Sequence, residues 1–129
     1  MTLLLDTQVW LWMQVSPERI VPHLRDRLVD GQVDLLLSAA SSWEIAIKHA
    51  LGKLPLPEHP RDYVPSRMRS GAVTGLPVSH AHALHVATLP PHHRDPFDRL
   101  LVAQAQLEGL TIVSADQALE RYDVPLLAT

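Results

Sequence analysis

Cysteine is absent from the 129-residue sequence. Its absence excludes a disulfide scaffold, thiolate zinc sites, iron–sulfur ligation and a thiol nucleophile, and it is compatible with a reducing compartment. The sequence also lacks an apolar run long enough to cross a bilayer. No basic segment precedes the early acid Asp6, so a secretory leader is not expected. We therefore expect a soluble, cytoplasmic protein with no membrane partner.

The chain also lacks an excess of basic residues: 11 Lys and Arg stand against 14 Asp and Glu, for a formal net charge of −3. Proteins that bind nucleic acid usually carry a basic surface, so the charge counts mildly against such a partner. An empty metal site made of carboxylates is itself strongly negative, however, and can meet phosphate through its cation. Net charge therefore does not decide the question.

Predicted strands and predicted helices alternate along the chain. Short apolar runs at 3–7, 33–37 and 111–114 predict buried strands, and 124–127 is a candidate edge strand. Helices are expected over 9–13, from Ser16 to Gly31, from Ser41 or Ser42 to Gly52, over 79–89, and from Asp95 to Gly109, with a further short helix after Asp116. We expect residues 54–75 to be a surface excursion with one short helix near 61–69.

This alternation is typical of an α/β domain. Its strands are apolar without a period of two, as in parallel sheets that are covered on both faces. The length and the 47% apolar content fit one globular unit. We therefore predict a single domain over residues 1–129, in which helices flank both faces of a central, mostly parallel sheet.

Two acids, Asp6 and Asp116, directly follow predicted strands. In a parallel sheet both would lie at the carboxyl edge, where open α/β sheets bind their ligands. Each aspartate could equally serve as the N-cap of the helix that follows it. Neither residue alone distinguishes a site from a cap.

Two further acids lie on predicted helices. Glu44 is surrounded by Trp43, Ile45 and Ile47, and a glutamate on so apolar a helix is costly to bury unless it is paired or bound to a metal. A helical ion pair with Lys48 is the alternative. Asp98 lies in the first turn of the helix opened by Asp95, where helix capping would explain either aspartate.

Taken together, the four acids can converge on one sheet edge. Several carboxylates in one small volume repel one another unless a hard cation lies between them. Oxygen ligands suit Mg²⁺, with Mn²⁺ as an alternative. Such a site can activate water for attack on a phosphodiester. The hydroxyls of Thr7, Ser38 and Ser114 could orient water or phosphate, although capping explains Ser38 better.

The motifs that contain these acids resemble those of the PIN-domain ribonucleases, specifically the VapC-type toxins of toxin–antitoxin pairs. The similar segments span nearly the whole chain and comprise Leu-Leu-Leu-Asp6-Thr7, Ser-Ser-Trp-Glu44-Ile-Ala-Ile-Lys48 with Leu51-Gly-Lys-Leu54, His93-Arg-Asp95-Pro-Phe-Asp98-Arg99, and Thr-Ile-Val-Ser-Ala-Asp116. The second and third are long and specific, whereas the first and last are weak alone.

The resemblance implies a PIN-like fold and a Mg²⁺-dependent endoribonuclease. It places Asp6, Glu44, Asp98 and Asp116 at the family's metal-binding and catalytic positions, and it favours Asp98 over Asp95, which becomes the helix cap. Ser114 stands where threonine is common, which keeps the hydroxyl. Lys48 and Arg99 are candidate phosphate contacts, although solvated helix charges explain them as well.

The resemblance also implies partners: an RNA substrate, a cognate VapB-type antitoxin that covers or enters the site, and a second copy in a homodimer. The apolar stretch 9–13 could be an antitoxin groove or dimer surface, but buried core explains it better.

Other functions remain as alternatives. A PIN-like fold could serve as an RNA-binding scaffold without cleavage. A phosphoacceptor receiver domain has a similar length and an acidic magnesium pocket, but the required acids and late lysine are missing at the corresponding strand ends. The histidines include His80, His82 and His85, with His92 and His93 nearby, yet their spacing is not that of a helical zinc pair, and we expect a solvated surface there.

Overall fold

Five short strands form the central sheet of the computed structural model, which describes residues 1–129. They are β1 (Thr2–Leu5), β2 (Asp34–Ser38), β3 (Val73–Leu76), β4 (Thr111–Ser114) and β5 (Leu126–Ala128). All neighbouring strands run parallel, in the order β3-β2-β1-β4-β5. In the central strand, Leu4 lies opposite Leu36 of β2 and Ile112 of β4. The predicted parallel α/β sheet is confirmed.

Six α-helices connect the strands: α1 (Thr7–Val15), α2 (Pro22–Leu28), α3 (Ala39–Ala50), α4 (Pro60–Ser70), α5 (His80–His85) and α6 (Pro96–Glu108). Short 3₁₀ turns lie at Pro17–Arg19, Val86–Thr88 and Gln117–Arg121. None of these helices combines the length and the hydropathy that a membrane span requires.

The helices cover both faces of the sheet, as predicted. Leu3 and Leu5 of β1 point to one face and pack with α1 to α4, whereas Leu4 points to the other and packs with α6. The apolar strands are therefore buried on both sides, which explains why their sequences do not alternate with polar residues. Within the stretch 9–13, Val9 and Trp10 are fully buried, so the core explanation is confirmed for these two residues.

The structure corrects three sequence predictions. The segment expected as a surface excursion contains β3, which extends the sheet beyond β2. The helix expected from Ser16 to Gly31 is interrupted: Ile20 and Val21 are extended, because Pro22 disfavours helical geometry in the residue before it. Helix α3 begins at Ala39 rather than at Ser41 or Ser42, because the Ser38 hydroxyl accepts a hydrogen bond from the Ala40 N–H.

Helix α6 begins and ends as its sequence predicts. Asp95 is its N-cap, Pro96 is its first residue, and Gly109 at the end is left-handed, with a φ of 68°. Five consecutive residues, from Leu101 to Ala105, are buried, and all but Gln104 pack in the apolar cluster that contains Leu4. This packing fixes the helix that carries Asp98 against the sheet.

Candidate active site

A cleft of about 560 Å³ opens at the carboxyl edge of the sheet, and all four predicted acids line it. Asp6 follows β1 directly, and Asp116 lies two residues after β4. Glu44 reaches the cleft from α3 and Asp98 from the first turn of α6. Further polar residues at the rim are Thr7, Gln8, Lys48, Lys53 and Asp95. The structure thus brings together the acids that the sequence places on separate elements.

Asp6 is buried at the bottom of the cleft and serves two purposes. It caps α1 by accepting from the Gln8 N–H at 3.4 Å, and its other oxygen accepts a hydrogen bond from the Ser114 hydroxyl. Burial raises the pKa of Asp6 above its usual value, and the charges of Glu44 and Asp116 add to the rise, against the lowering by the two hydrogen bonds. Asp6 therefore caps α1, as one explanation expected, and still lines the cleft with the other acids.

Glu44 is 6% exposed and forms the predicted ion pair with Lys48, whose Nζ lies 2.6 Å from Oε2. That hydrogen bond raises the pKa of Lys48, so the ammonium stays charged. The pair does not remove Glu44 from the cleft, which both residues line. Lys48 fixes the Glu44 carboxylate and balances one of the charges of the cluster.

The structure separates the two aspartates of the Asp95-Pro-Phe-Asp98 motif. One oxygen of Asp95 accepts hydrogen bonds from the N–H groups of Phe97 and Asp98, so it is the helix cap. Asp98, whose side chain is 13% exposed, faces the other acids. Burial, followed by the charges of Asp6 and Asp95, raises the pKa of Asp98 to about 7.

His93 also belongs to the cluster, and the sequence-based reasoning missed it. Its Nε2 lies 2.7 Å from Asp116 Oδ2 and 3.1 Å from Asp98 Oδ2. Burial alone would lower the pKa of His93, but the hydrogen bond to Asp116 and the surrounding carboxylates raise it. Burial alone would raise the pKa of Asp116, but the hydrogen bonds with His93 and with the Ala118 N–H hold this pKa below its usual value. The signal available in the sequence was the position of His93 two residues before the helix cap.

The remaining predicted residues lie in different surroundings. The Thr7 hydroxyl donates to Ser41 Oγ at 2.8 Å, and Ser114 also accepts from the Asp116 N–H, so both hydroxyls hold the cleft wall. Arg99 does not line the cleft. Its guanidinium donates to the carbonyls of Val86, Leu89 and Pro90 and to the Tyr122 hydroxyl.

Of the α5 histidines, His80 is exposed as the sequence suggested, but His82 and His85 are not. His82 is 4% exposed and its Nε2 lies 2.8 Å from Glu108 Oε1, while His85 Nε2 lies 2.7 Å from Gln106 Oε1. Both contacts fasten α5 to α6. The one group of three potential metal ligands in the chain is His93, Asp98 and Asp116.

The donor set of the cleft suits a hard divalent cation. It offers several carboxylate oxygens, with Lys48, Lys53 and His93 as the nearby basic groups. The raised pKa of Asp98 reflects burial first and then repulsion by Asp6 and Asp95, and a cation between the carboxylates would relieve that repulsion. The residues present therefore fit a metal of the Mg²⁺ or Mn²⁺ type.

A parallel sheet with a cleft at its carboxyl edge is the arrangement of an open α/β protein that binds its ligand at strand ends. The sequence model of the PIN domain matches residues 3–125, so the chain belongs to the PIN domain family. The family match also excludes the receiver-domain alternative.

Particular relatives are similar over different extents. Ribonuclease VapC16 of Mycobacterium tuberculosis (strain ATCC 25618 / H37Rv) is 55% identical over 65 residues, which cover 50% of this chain and 46% of that protein. The chain thus spans about half the length of this relative.

Two solved structures share the fold over nearly the full length of both chains. VapBC2 from Rickettsia felis, bound to a DNA fragment from its promoter, aligns with a TM-score of 0.74 at 13% identity, covering 99% of this chain and 98% of that one. DNA-bound VapBC from Salmonella typhimurium gives a TM-score of 0.69 at 18% identity with the same coverage.

Proposed function

We propose that the chain is a metal-dependent endoribonuclease that hydrolyses RNA phosphodiester bonds and acts as the toxin of a toxin–antitoxin pair. The observation that carries the proposal is the convergence of Asp6, Glu44, Asp98 and Asp116 on one cleft, where the pKa of Asp98 is raised to about 7. The name of the similar ribonuclease supports RNA as substrate, and the similar VapBC complexes support an antitoxin partner.

A bound Mg²⁺, or Mn²⁺ in its place, would activate water and neutralise charge that develops on the phosphate oxygens. Carboxylate oxygens of the four acids would hold the cation. Two of the acids are fixed by direct contacts, Asp6 by the Ser114 hydroxyl and Glu44 by the Lys48 ammonium. Such contacts hold ligands in the orientation that a cation needs.

Lys53 is the basic residue best placed to meet the substrate. It lines the cleft and is exposed, and no carboxylate pairs with it. The turn after α3 positions it: Gly52 is left-handed, with a φ of 72°, and the Lys53 N–H donates to the Lys48 carbonyl at 2.9 Å. We expect Lys53, rather than Arg99, to contact an RNA phosphate.

Sequencing of new RNA 5′ ends after induced expression in a heterologous cell tests the proposal. The wild type should produce new ends and arrest growth, whereas Asp98→Asn should do neither. Asp34→Asn is the matched control, because this exposed aspartate lies at the amino end of β2, away from the cleft. Identical ends and growth for wild type and Asp98→Asn would contradict the ribonuclease proposal.

The alternative of an RNA-binding scaffold without cleavage is distinguished with purified protein. A cleaving enzyme should convert labelled RNA into products when Mn²⁺ is present, and EDTA or Asp6→Asn should abolish the products. A scaffold would bind the RNA without products in every condition. The presence of all four acids in the cleft favours the enzyme.

The antitoxin would inhibit by covering this cleft, since a bound segment would exclude both RNA and cation. Co-expression with the product of a neighbouring short gene should restore growth, and the two proteins should copurify. Copurification without restored growth would contradict inhibition at the cleft.

The homodimer is supported by the outward face of α3. Ala39, Trp43, Ala46 and Ala50 recur at helical spacing, and all four are exposed although all are apolar. Trp43 is 62% exposed and packs edge-on against Phe97, with ring centroids 5.3 Å apart. Small residues allow a second helix to approach closely. Light scattering should give a dimer for the wild type and a monomer for Trp43→Glu; a monomeric wild type would contradict the pairing.

A further inference from the structure

The imidazole of His93 is the one polar ring at the acidic cluster, and the proposed chemistry leaves it without a role. Its Nε2 donates to Asp116 Oδ2 at 2.7 Å and lies 3.1 Å from Asp98 Oδ2. These two acids come from different elements, the segment after β4 and the first turn of α6. His93 therefore links two acids that lie on separate elements of the chain.

The protonation of the other ring nitrogen, Nδ1, decides whether Nε2 of His93 is a hydrogen-bond donor or a metal ligand. The backbone N–H of Asp95 donates to Nδ1 at 3.0 Å, so Nδ1 accepts and carries no proton. In a neutral imidazole the single proton is then on Nε2, which makes Nε2 a donor without a free lone pair. A metal ligand needs that lone pair. The geometry therefore favours a hydrogen-bond donor to the carboxylates over a direct ligand.

A chain of hydrogen bonds, most of them partly buried, holds the backbone of His93 in place. Its N–H donates to the Tyr122 hydroxyl at 2.9 Å, and the same hydroxyl accepts from Arg99 Nη1 at 3.2 Å. Tyr122 is 4% exposed, and Arg99 fastens the preceding loop through its carbonyls. The ring is thus fixed on both sides, by Asp95 at Nδ1 and by Tyr122 at the main chain.

We propose that His93 is a positioning residue for the cation: its Nε2–H holds Oδ2 of Asp116 and of Asp98 so that the remaining lone pairs of both carboxylates converge on one metal ion. The proposal rests on the cation binding of the proposed function. Partners that hydrogen-bond to ligating carboxylates orient them, and their loss typically weakens metal affinity by about 10- to 100-fold. The scaffold of Arg99 and Tyr122 then serves the site indirectly, through His93.

Mn²⁺ titration of the purified full chain, followed by electron paramagnetic resonance of the free ion, tests this role. His93→Leu removes the donor and should weaken Mn²⁺ binding by about 10- to 100-fold. His93→Gln keeps an N–H at similar reach but has no ring lone pair, so it should bind nearly as well as the wild type. His92→Leu is the matched control, because His92 packs against Tyr122 with ring centroids 5.2 Å apart and makes no contact with the acids.

The outcomes separate this proposal from the proposed function. A wild type that binds no Mn²⁺ overturns both. A wild type that binds while His93→Leu binds equally well overturns only the role of His93. Two results together would show that His93 is a metal ligand instead. Pulsed electron paramagnetic resonance of the Mn²⁺-bound wild type would detect strong hyperfine coupling to an imidazole nitrogen, and His93→Gln would bind Mn²⁺ as weakly as His93→Leu. Cleavage by His93→Leu should recover at raised Mn²⁺ concentration, which a merely structural defect would not produce.

Discussion

Replacing Asp98 with asparagine should stabilise the metal-free protein at pH 8, although the same change should abolish cleavage. The Asp98 carboxyl has a pKa of about 7 in the fold against 3.8 as its ordinary value, and its side chain is only 13% exposed. This difference in pKa corresponds to about 4 kcal/mol by which ionised Asp98 lowers the free energy of unfolding. Asparagine has the same shape and no charge, so the substitution removes this cost.

The sign follows from proton binding. Between pH 4 and pH 7 the folded state keeps the Asp98 proton that the unfolded chain has lost, so the free energy of unfolding falls as pH rises. The raised pKa of Asp6 acts in the same direction. The raised pKa of His93 gives stability at low pH that is lost as pH rises through it. The lowered pKa of Asp116 acts oppositely, but only in more acidic solution, where that carboxyl becomes protonated.

Thermal unfolding of wild type and Asp98→Asn in EDTA measures the effect. We expect Asp98→Asn to raise the free energy of unfolding by roughly 2 to 4 kcal/mol at pH 8. The lower end of this range applies if water and neighbouring groups relax around the ionised carboxyl of the wild type and so reduce its cost. This gain corresponds to an increase in Tm on the order of 10 °C for a domain of this size. At pH 4 the difference should nearly vanish, since Asp98 is then protonated in the fold.

Cation binding should reverse the order of the two proteins. Mn²⁺ at a thousandfold excess over its Kd would stabilise the wild type by about 4.1 kcal/mol, which exceeds the roughly 2 to 4 kcal/mol that Asp98→Asn gains in EDTA, whereas Asp98→Asn should gain little from the ion. Asp34→Asn should follow the wild type throughout, since it lies at the opposite edge of the sheet. If Asp98→Asn proved less stable than the wild type at pH 8, or if its effect were the same at both pH values, the repulsion argument would be refuted.

Three further predictions concern the scaffold. Gly109→Ala should lower the free energy of unfolding by about 1 to 2 kcal/mol in urea titration, because a residue with a Cβ is strained at a φ of 68°. Gly31→Ala is the control and should be neutral, since a Cβ there has open space and the φ is not in the left-handed region. Arg99→Lys should cost about 1 to 3 kcal/mol, since one ammonium cannot replace the guanidinium bonds to the loop carbonyls and the Tyr122 hydroxyl; an unchanged Tm would contradict this role. Trp10→Ala should cost about 3 to 5 kcal/mol as a fully buried side chain, and a loss below 1 kcal/mol would mean that the core collapses around it.

The parts of the fold that could be predicted are those in which local sequence and tertiary packing agree. Strands β1 and β4 are continuous apolar runs, and α6 has a cap, a proline and a terminal glycine at the correct positions. Strand β3, Val-Thr-Gly-Leu, has a weak pattern and only Val73 buried. It exists because β2 offers an unpaired edge, with Leu36 opposite Thr74, and no local signal reports such an edge.

Within the site, the limit of sequence reasoning lies at contacts between distant residues. Asp6, Asp98 and Asp116 could be predicted to meet because they follow strands or begin a helix, where topology alone brings them to one edge. Glu44 lies in the middle of α3, and its signal was an acid among apolar neighbours. His93 lies in a loop, and its position depends on Tyr122, 29 residues away, and on Arg99. Arg99 was a candidate phosphate contact, with a solvated helix charge as the alternative, because the sequence gives no sign of the distant loop carbonyls to which its guanidinium donates.

Helix capping and cation binding compete as explanations of a single aspartate, but in this cleft the capping aspartates still line the proposed cation site. Asp6 and Asp116 each give one carboxylate oxygen to a backbone N–H and the other to a side-chain donor, Ser114 or His93. Because the cap orients the carboxylate before any cation arrives, less side-chain entropy is lost on binding. Asp98 accepts no backbone hydrogen bond of this kind and has only the 3.1 Å contact with His93, so burial and the neighbouring charges of Asp6 and Asp95 raise its pKa. The cation is therefore expected to gain most of its affinity from Asp98, with the capped aspartates supplying a preformed frame.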